Sequence, residues 1–135
     1  MNVLASSIQV LADDHPHEKW ANFSTARARL LALLDDGGVR NPVIVSGDRH
    51  FAELTKATLP SGRVLYDLTS SSLSRPFSHP VDSPNGERVG EPFGDVNFGL
   101  MVIDFGAAQP AIRLEVRSDQ ARVPITQVIP LVLQP

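Results

Sequence analysis

The sequence predicts a mixed α/β fold of the α+β kind, with a β-rich C-terminal tail. Three observations predict it: a strand, loop, helix, strand order in the first fifty residues, a wholly apolar run closing that unit, and alternating segments from residue 97 onward.

The elements follow in chain order. Val3, Leu4 and Ile8–Val10 make Asn2–Val10 a strand with a polar Ser6-Ser7 step, so the chain starts inside an element. ADDHPHEKWANF (12–23) reads as a polar loop broken at Pro16 and anchored by Trp20. Ser24 stands at an N-cap position, and TARARLLALLDD sets Ala26, Leu30, Leu33 and Leu34 on one helical face. Gly37-Gly38 is expected to stop that helix in a left-handed cap. Val39–Val45 then leads into a short apolar strand covered on both faces, which makes a βαβ-like unit with parallel strands.

Arg63–Leu68 reads as a strand running into Ser70, Ser71 and Ser72. Residues 74–95 form a long loop dense in Pro, Gly, Ser and Asp, of the length that functional loops have. NFGLMVIDF (97–105) and AIRLEVRS (111–118) are strands, the second with Ile112, Leu114 and Val116 facing opposite to Arg113, Glu115 and Arg117. PITQVIPLVL (124–133) is a last strand confined to an edge by Pro124 and Pro130. No repeat or linker divides the chain, so residues 1–135 are read as one domain.

Composition narrows the function. A net charge of −3 with no lysine or arginine run gives no signal for nucleic acid or an anionic membrane. No apolar stretch is long enough to span a bilayer, and the N-terminal residues lack a signal-peptide pattern. The absence of cysteine removes disulfides, cysteine nucleophiles and zinc fingers, and leaves the compartment open.

The chemistry-bearing stretch is VIVSGDRHFAEL (43–54). Ligands in open α/β sheets bind beyond the carboxyl ends of the strands, which is where Asp48 and His50 stand. Gly47 allows a tight turn, and in a roughly extended chain residues two apart point one way. A carboxylate beside an imidazole suits a first-row transition metal. Arg49, pointing elsewhere or along the rim, could meet a phosphate oxygen. The bland reading makes Asp48 a turn cap and His50 an ordinary histidine. His15 and His17 read chiefly as members of a solvated loop. Ser70 to Ser72 either donate to a phosphate or satisfy a turn. No serine elbow, phosphate loop or dinucleotide fingerprint is present.

Taken together, ASSIQV (5–10), EKWANFSTARARLLALL (18–34), NPVIVSGDRHFAEL (41–54) and LYDLTSSSLS (65–74), extended by NFGLMVID (97–104), resemble the alkaline phosphatase D (PhoD-like) family of metallophosphoesterases. The resemblance implies the C-terminal half of a four-layer α/β/β/α sandwich with a metal centre at the strand ends. It implies hydrolysis of phosphate mono- or diesters. Ser-Gly-Asp-x-His looks like the family's late metal motif, which makes Asp48 and His50 catalytic metal ligands, for iron, calcium, manganese or zinc. The family's earlier motifs are absent, so an N-terminal half carrying the other ligands is the expected partner, and this chain alone is expected to be inactive. Apolar faces and an edge left uncovered make self-association a further expectation. The alternative is a non-catalytic β-rich binding module with a vestigial site.

Overall fold

The computed structural model describes residues 1–77, 81 and 83–132. His79, Asp82 and the end of the last expected strand lie outside the described residues. The elements are β1 (Asn2–Ala5), a 3-10 turn (Trp20–Phe23), α1 (Ser24–Asp35), β2 (Pro42–Ser46), β3 (Ala52–Thr58), β4 (Val64–Ser70), β5 (Asn97–Asp104), β6 (Ala111–Ser118) and β7 (Ile125–Pro130). The fold is mixed α+β, mostly sheet with one short helix.

Two sheets carry the architecture. The first is four-stranded in the order β1-β2-β4-β3; β1, β2 and β4 run parallel, and β3 pairs antiparallel to β4. The parallel β1–β2 pair with α1 between them in sequence is the βαβ unit expected. The second sheet is an antiparallel meander, β5-β6-β7, with β7 on an edge as its prolines require.

Alternation along the strands splits the core in two. Val43, Ala52, Leu54 and Leu68 face the second sheet and meet Ile112, Leu114, Val116 and Ile125. Ile44 and Leu65 point the other way, onto Leu34, Val10, Leu11 and Leu59. Among the described residues the layers are therefore helix, mixed sheet and antiparallel sheet.

Several elements differ from expectation, each for a local reason. β1 ends at Ala5 rather than Val10, because Ser6 turns inward and donates its hydroxyl to Ile8 O at 2.7 Å. The 9–12 segment is buried all the same. Asp67 Oδ2 accepts the N–H groups of Val10 and Leu11 at 2.8 and 3.1 Å, while Arg27 donates to their carbonyls at 2.8 Å each. An irregular segment can be buried only when its backbone is satisfied in this way.

Ser24 is the first helical residue and not the cap; Phe23 holds the cap position without a side-chain bond. The inward stripe of α1 is Leu30, Leu31 and Leu34, with Ala26 and Leu33 exposed. The stripe is turned because Arg27 is needed against the 10–11 carbonyls. Gly37 and Gly38 do not take left-handed conformations. Instead Asp36 ends the helix, donating its N–H to Ala32 O and accepting the Gly38 N–H on its carboxylate at 3.1 Å.

β3 was not expected. Its first four residues, Ala52 to Thr55, are all buried although Glu53 and Thr55 are polar, so the apolar alternation that marks a strand is missing. Within the long loop, segment 87–93 lies along β3. It exchanges backbone bonds between Ala52 and Phe93 at 2.8 Å, and Val89 N–H donates to Leu54 O. No helix among the described residues is long and apolar enough to cross a membrane.

Candidate functional site

β2 is central in its sheet, flanked by parallel strands on both sides, so its last residues arrive where three parallel strands end. The chain then bends sharply. Asp48 (φ 71°) and His50 (φ 57°) both lie in the left-handed region, while Gly47 has no positive φ. The turn expected of the glycine is made by the two candidate ligands, and the assumption of an extended chain through them does not hold. Non-glycine residues in this conformation cost on the order of 1–2 kcal/mol each and gather at functional sites.

The bend still presents Asp48 and His50 differently from Arg49. Asp48 is exposed, His50 half-buried, and Arg49 buried between them. His50 is pinned from behind: its N–H donates to Ser71 Oγ at 2.9 Å and its carbonyl accepts the Phe77 N–H at 2.7 Å. Arg49 turns inward, with Nη2 donating to Ser83 Oγ at 2.8 Å and the guanidinium 5.2 Å from the Phe51 ring centre. Burial pulls its pKa down, with Glu53 and Asp48 pulling the other way.

The serines divide their roles. Ser70 donates to Asn97 Oδ1 at 2.8 Å, which ties β4 to β5. Ser71 Oγ accepts the His50 N–H, and its own proton has no acceptor among the described residues. Ser72 is fully buried. A cleft of about 440 Å3 opens beside the bend, lined by Ser6, Ser7, Gly47 and Ser70 across from Gly99 and Met101. A Cβ at Gly99 would lie 3.4 Å from Ser70 Cβ, so β5 runs in direct contact with the end of β4.

Behind the rim is a buried polar network that the sequence reading missed. Gln9 Nε2 donates to Glu53 Oε1 and to Thr69 Oγ1, the second at 3.0 Å. Thr69 Oγ1 is 2.8 Å from Ser46 Oγ, which donates to Asp67 Oδ1 at 2.7 Å. Arg88 Nε donates to Glu53 Oε2 at 2.6 Å and its Nη2 to Ser83 O, joining the network to Arg49. Burial raises the Asp67 pKa, and the hydrogen bonds from Ser46, Val10 and Leu11 pull it back. The signal was Asp67 inside the apolar run VLYDLTS, since a lone carboxylate at a core position needs several donors.

His15 is not solvated as expected but 1% exposed. Lys19 Nζ donates to His15 O at 2.6 Å and to Asn22 Oδ1 at 3.0 Å, curling the loop under itself. The His15 pKa is lowered to about 4 by burial and by the neighbouring cations Arg49 and Lys19. Its Nδ1 accepts the His17 N–H at 3.2 Å, which fixes the neutral ring with its proton on Nε2. That Nε2, Gln9 Oε1 and Arg49 Nε have no hydrogen-bond partner among the described residues.

As a metal site, the bend offers one oxygen and one nitrogen donor of suitable chemistry. Among the described residues no group of three or more His, Cys, Asp or Glu is gathered as a metal cage. No family model matches the chain, and no curated protein matches it.

Proposed function

We propose that the chain is the C-terminal part of a metal-dependent phosphoesterase of the PhoD-like kind, acting on phosphate mono- or diesters. The observation that carries the reading is the pair of left-handed residues, Asp48 and His50, at the end of the central parallel strand beside a serine-lined cleft. Together with the resemblance of the Ser-Gly-Asp-x-His stretch, it supports Asp48 and His50 as metal ligands. The finer architecture, half of a four-layer α/β/β/α sandwich, belongs to this proposal, as do the further ligands from a preceding half of the fold.

Asp48 and His50 would contribute to holding iron, calcium, manganese or zinc, which would supply phosphoryl polarisation and an activated water. The chain's own residues do the rest. His50 is oriented by Ser71, the Ser71 proton is free to donate to a phosphoryl oxygen, and Ser70 lines the cleft. Arg49 places a guanidinium behind the rim, where its buried charge favours an anion in front of it.

A second reading, a β-rich binding module with a vestigial site, draws on the completeness of the sheet-to-sheet core: Ile112, Leu114 and Val116 are fully buried within this chain. One experiment separates the two. Residues 1–135, alone and joined to the preceding half, are assayed with a chromogenic monoester and diester after adding each metal. The phosphoesterase reading expects no turnover from 1–135 alone, turnover from the joined protein, and joint loss of metal and turnover in His50→Ala. A joined protein that binds metal without hydrolysing either ester supports the module.

A further inference from the structure

A second cavity lies at the opposite end of the sheets from Asp48 and His50. It has a volume of about 720 Å3, within the usual range for small-molecule sites. It opens between the two sheets where β2 and β4 begin and β7 ends. Its walls are apolar: Val43 and Tyr66 from the mixed sheet face Ile112, Ile129 and Pro130 from the antiparallel one.

The rim has one sign of charge. Arg40 and Arg63 line it, and among the described residues no aspartate or glutamate does, in a chain whose net charge is −3. Arg63 spends Nη1 on Leu34 O and Val39 O. Arg40 is exposed and has no side-chain hydrogen bond or ion pair among the described residues. The nearby Asp35 carboxylate is already engaged by the Ser61 N–H and hydroxyl. The mouth is built rather than frayed. Asn41 (φ 44°) clasps Val132 with both side-chain atoms, accepting its N–H at 2.9 Å and donating to its carbonyl at 3.1 Å.

We infer that this cavity binds an amphiphilic anion, an apolar body seated between the sheets with its carboxylate or phosphate head on Arg40 and Arg63. The apolar walls supply affinity through buried area, and the two guanidiniums select for charge at the head. The site does not depend on the phosphoesterase reading: it shares no residue with the metal bend and needs no metal.

The test is calorimetric titration of the full chain in chelator with three probes: decanoate, decanol and propionate. Decanoate is expected to bind at least about tenfold more tightly than decanol, the scale of one charge-assisted pair, and propionate not measurably. Dodecyl phosphate is expected to behave as decanoate does, and a preference between the two heads identifies the source. Arg40→Glu should weaken decanoate about tenfold or more and leave decanol unchanged. Ile129→Trp, which fills the wall, should weaken both, and His50→Ala neither. Equal binding of decanoate and decanol, no binding of either, or decanoate affinity untouched by both Arg40→Glu and Ile129→Trp overturns the proposal. Melting curves identify a variant that fails to fold, in which case Arg40→Gln and Ile129→Phe replace the pair.

Discussion

Asp67 Oδ2 lies 2.8 Å from the Val10 backbone nitrogen, across 57 residues of sequence, and through that contact β4 holds the irregular segment after β1 in place. Asp67→Ala leaves the Val10 and Leu11 N–H groups buried without an acceptor and strips Ser46 of its partner. A stability loss of about 2–4 kcal/mol is expected. Hydrogen exchange should show the Val10 and Leu11 amides exposed first, with the β5–β6 ladder unaffected. Asp67→Asn keeps one acceptor and should lose less.

Acid sensitivity should trace to His15. Its pKa is about 4 in the folded chain against 6.5 unfolded, so the unfolded state binds more protons between those values. The stabilising contribution is complete above pH 6.5 and is lost as pH falls toward 4, by at most about 1.4 kcal/mol per pH unit. Asp67, whose pKa is raised, acts with the opposite sign, so the measurement is a difference. Denaturant midpoints of wild type and His15→Gln should converge as pH falls through this window; a constant gap would remove His15 as the cause.

The bend at the end of β2 should carry removable strain. Asp48→Gly relaxes a left-handed residue that is exposed to solvent, and a gain of about 0.5–1 kcal/mol is expected in chemical denaturation. In the joined protein the same change should reduce metal content. A substitution that stabilises the fold while emptying the site is the signature of strain kept for function. A loss of stability instead would show that the conformation costs nothing.

The open edge of the mixed sheet should self-associate. β1 is an edge strand without lysine, proline or bulge, and Val3 on it is 47% exposed. The opposite edge, β3, is covered by segment 87–93. Val3→Lys should shift sedimentation at micromolar concentration toward monomer and leave the melting temperature nearly unchanged. Association that persists in Val3→Lys would place the contact elsewhere, with the exposed Phe98 and Val128 of the second sheet as the next surface to test.

What the sequence could and could not reveal follows from which forces act locally. The parallel β1–β2 pair, the buried β2, the alternating β6 and the edge position of β7 were readable, because each depends on periodicity or proline chemistry within a few residues. β3 was not, since Glu53 is buried only by virtue of Gln9 and Arg88, which lie far away in sequence. The helix stripe was misjudged for the same kind of reason: Arg27 faces inward to serve two loop carbonyls. At the site, Asp48 and His50 were picked out by residue type and position at a strand end. Their left-handed backbone and the inward turn of Arg49 go with contacts to Ser71 and Ser83, far along the chain, that no local pattern encodes.

The mixed sheet separates two apolar clusters that share no side chain, one beneath α1 and one against the antiparallel sheet. A wall of this kind makes the molecule breathe in two tiers. The α1 side is thin, resting on Leu34 and a few half-buried leucines together with the Asp67 and Arg27 bonds, so it can lift at a fraction of the global unfolding free energy while the sheet-to-sheet side stays closed. Each such excursion breaks the Arg27 bonds and uncovers the Val10 and Leu11 carbonyls. Solvent would then reach that backbone by opening kinetics rather than through a standing channel.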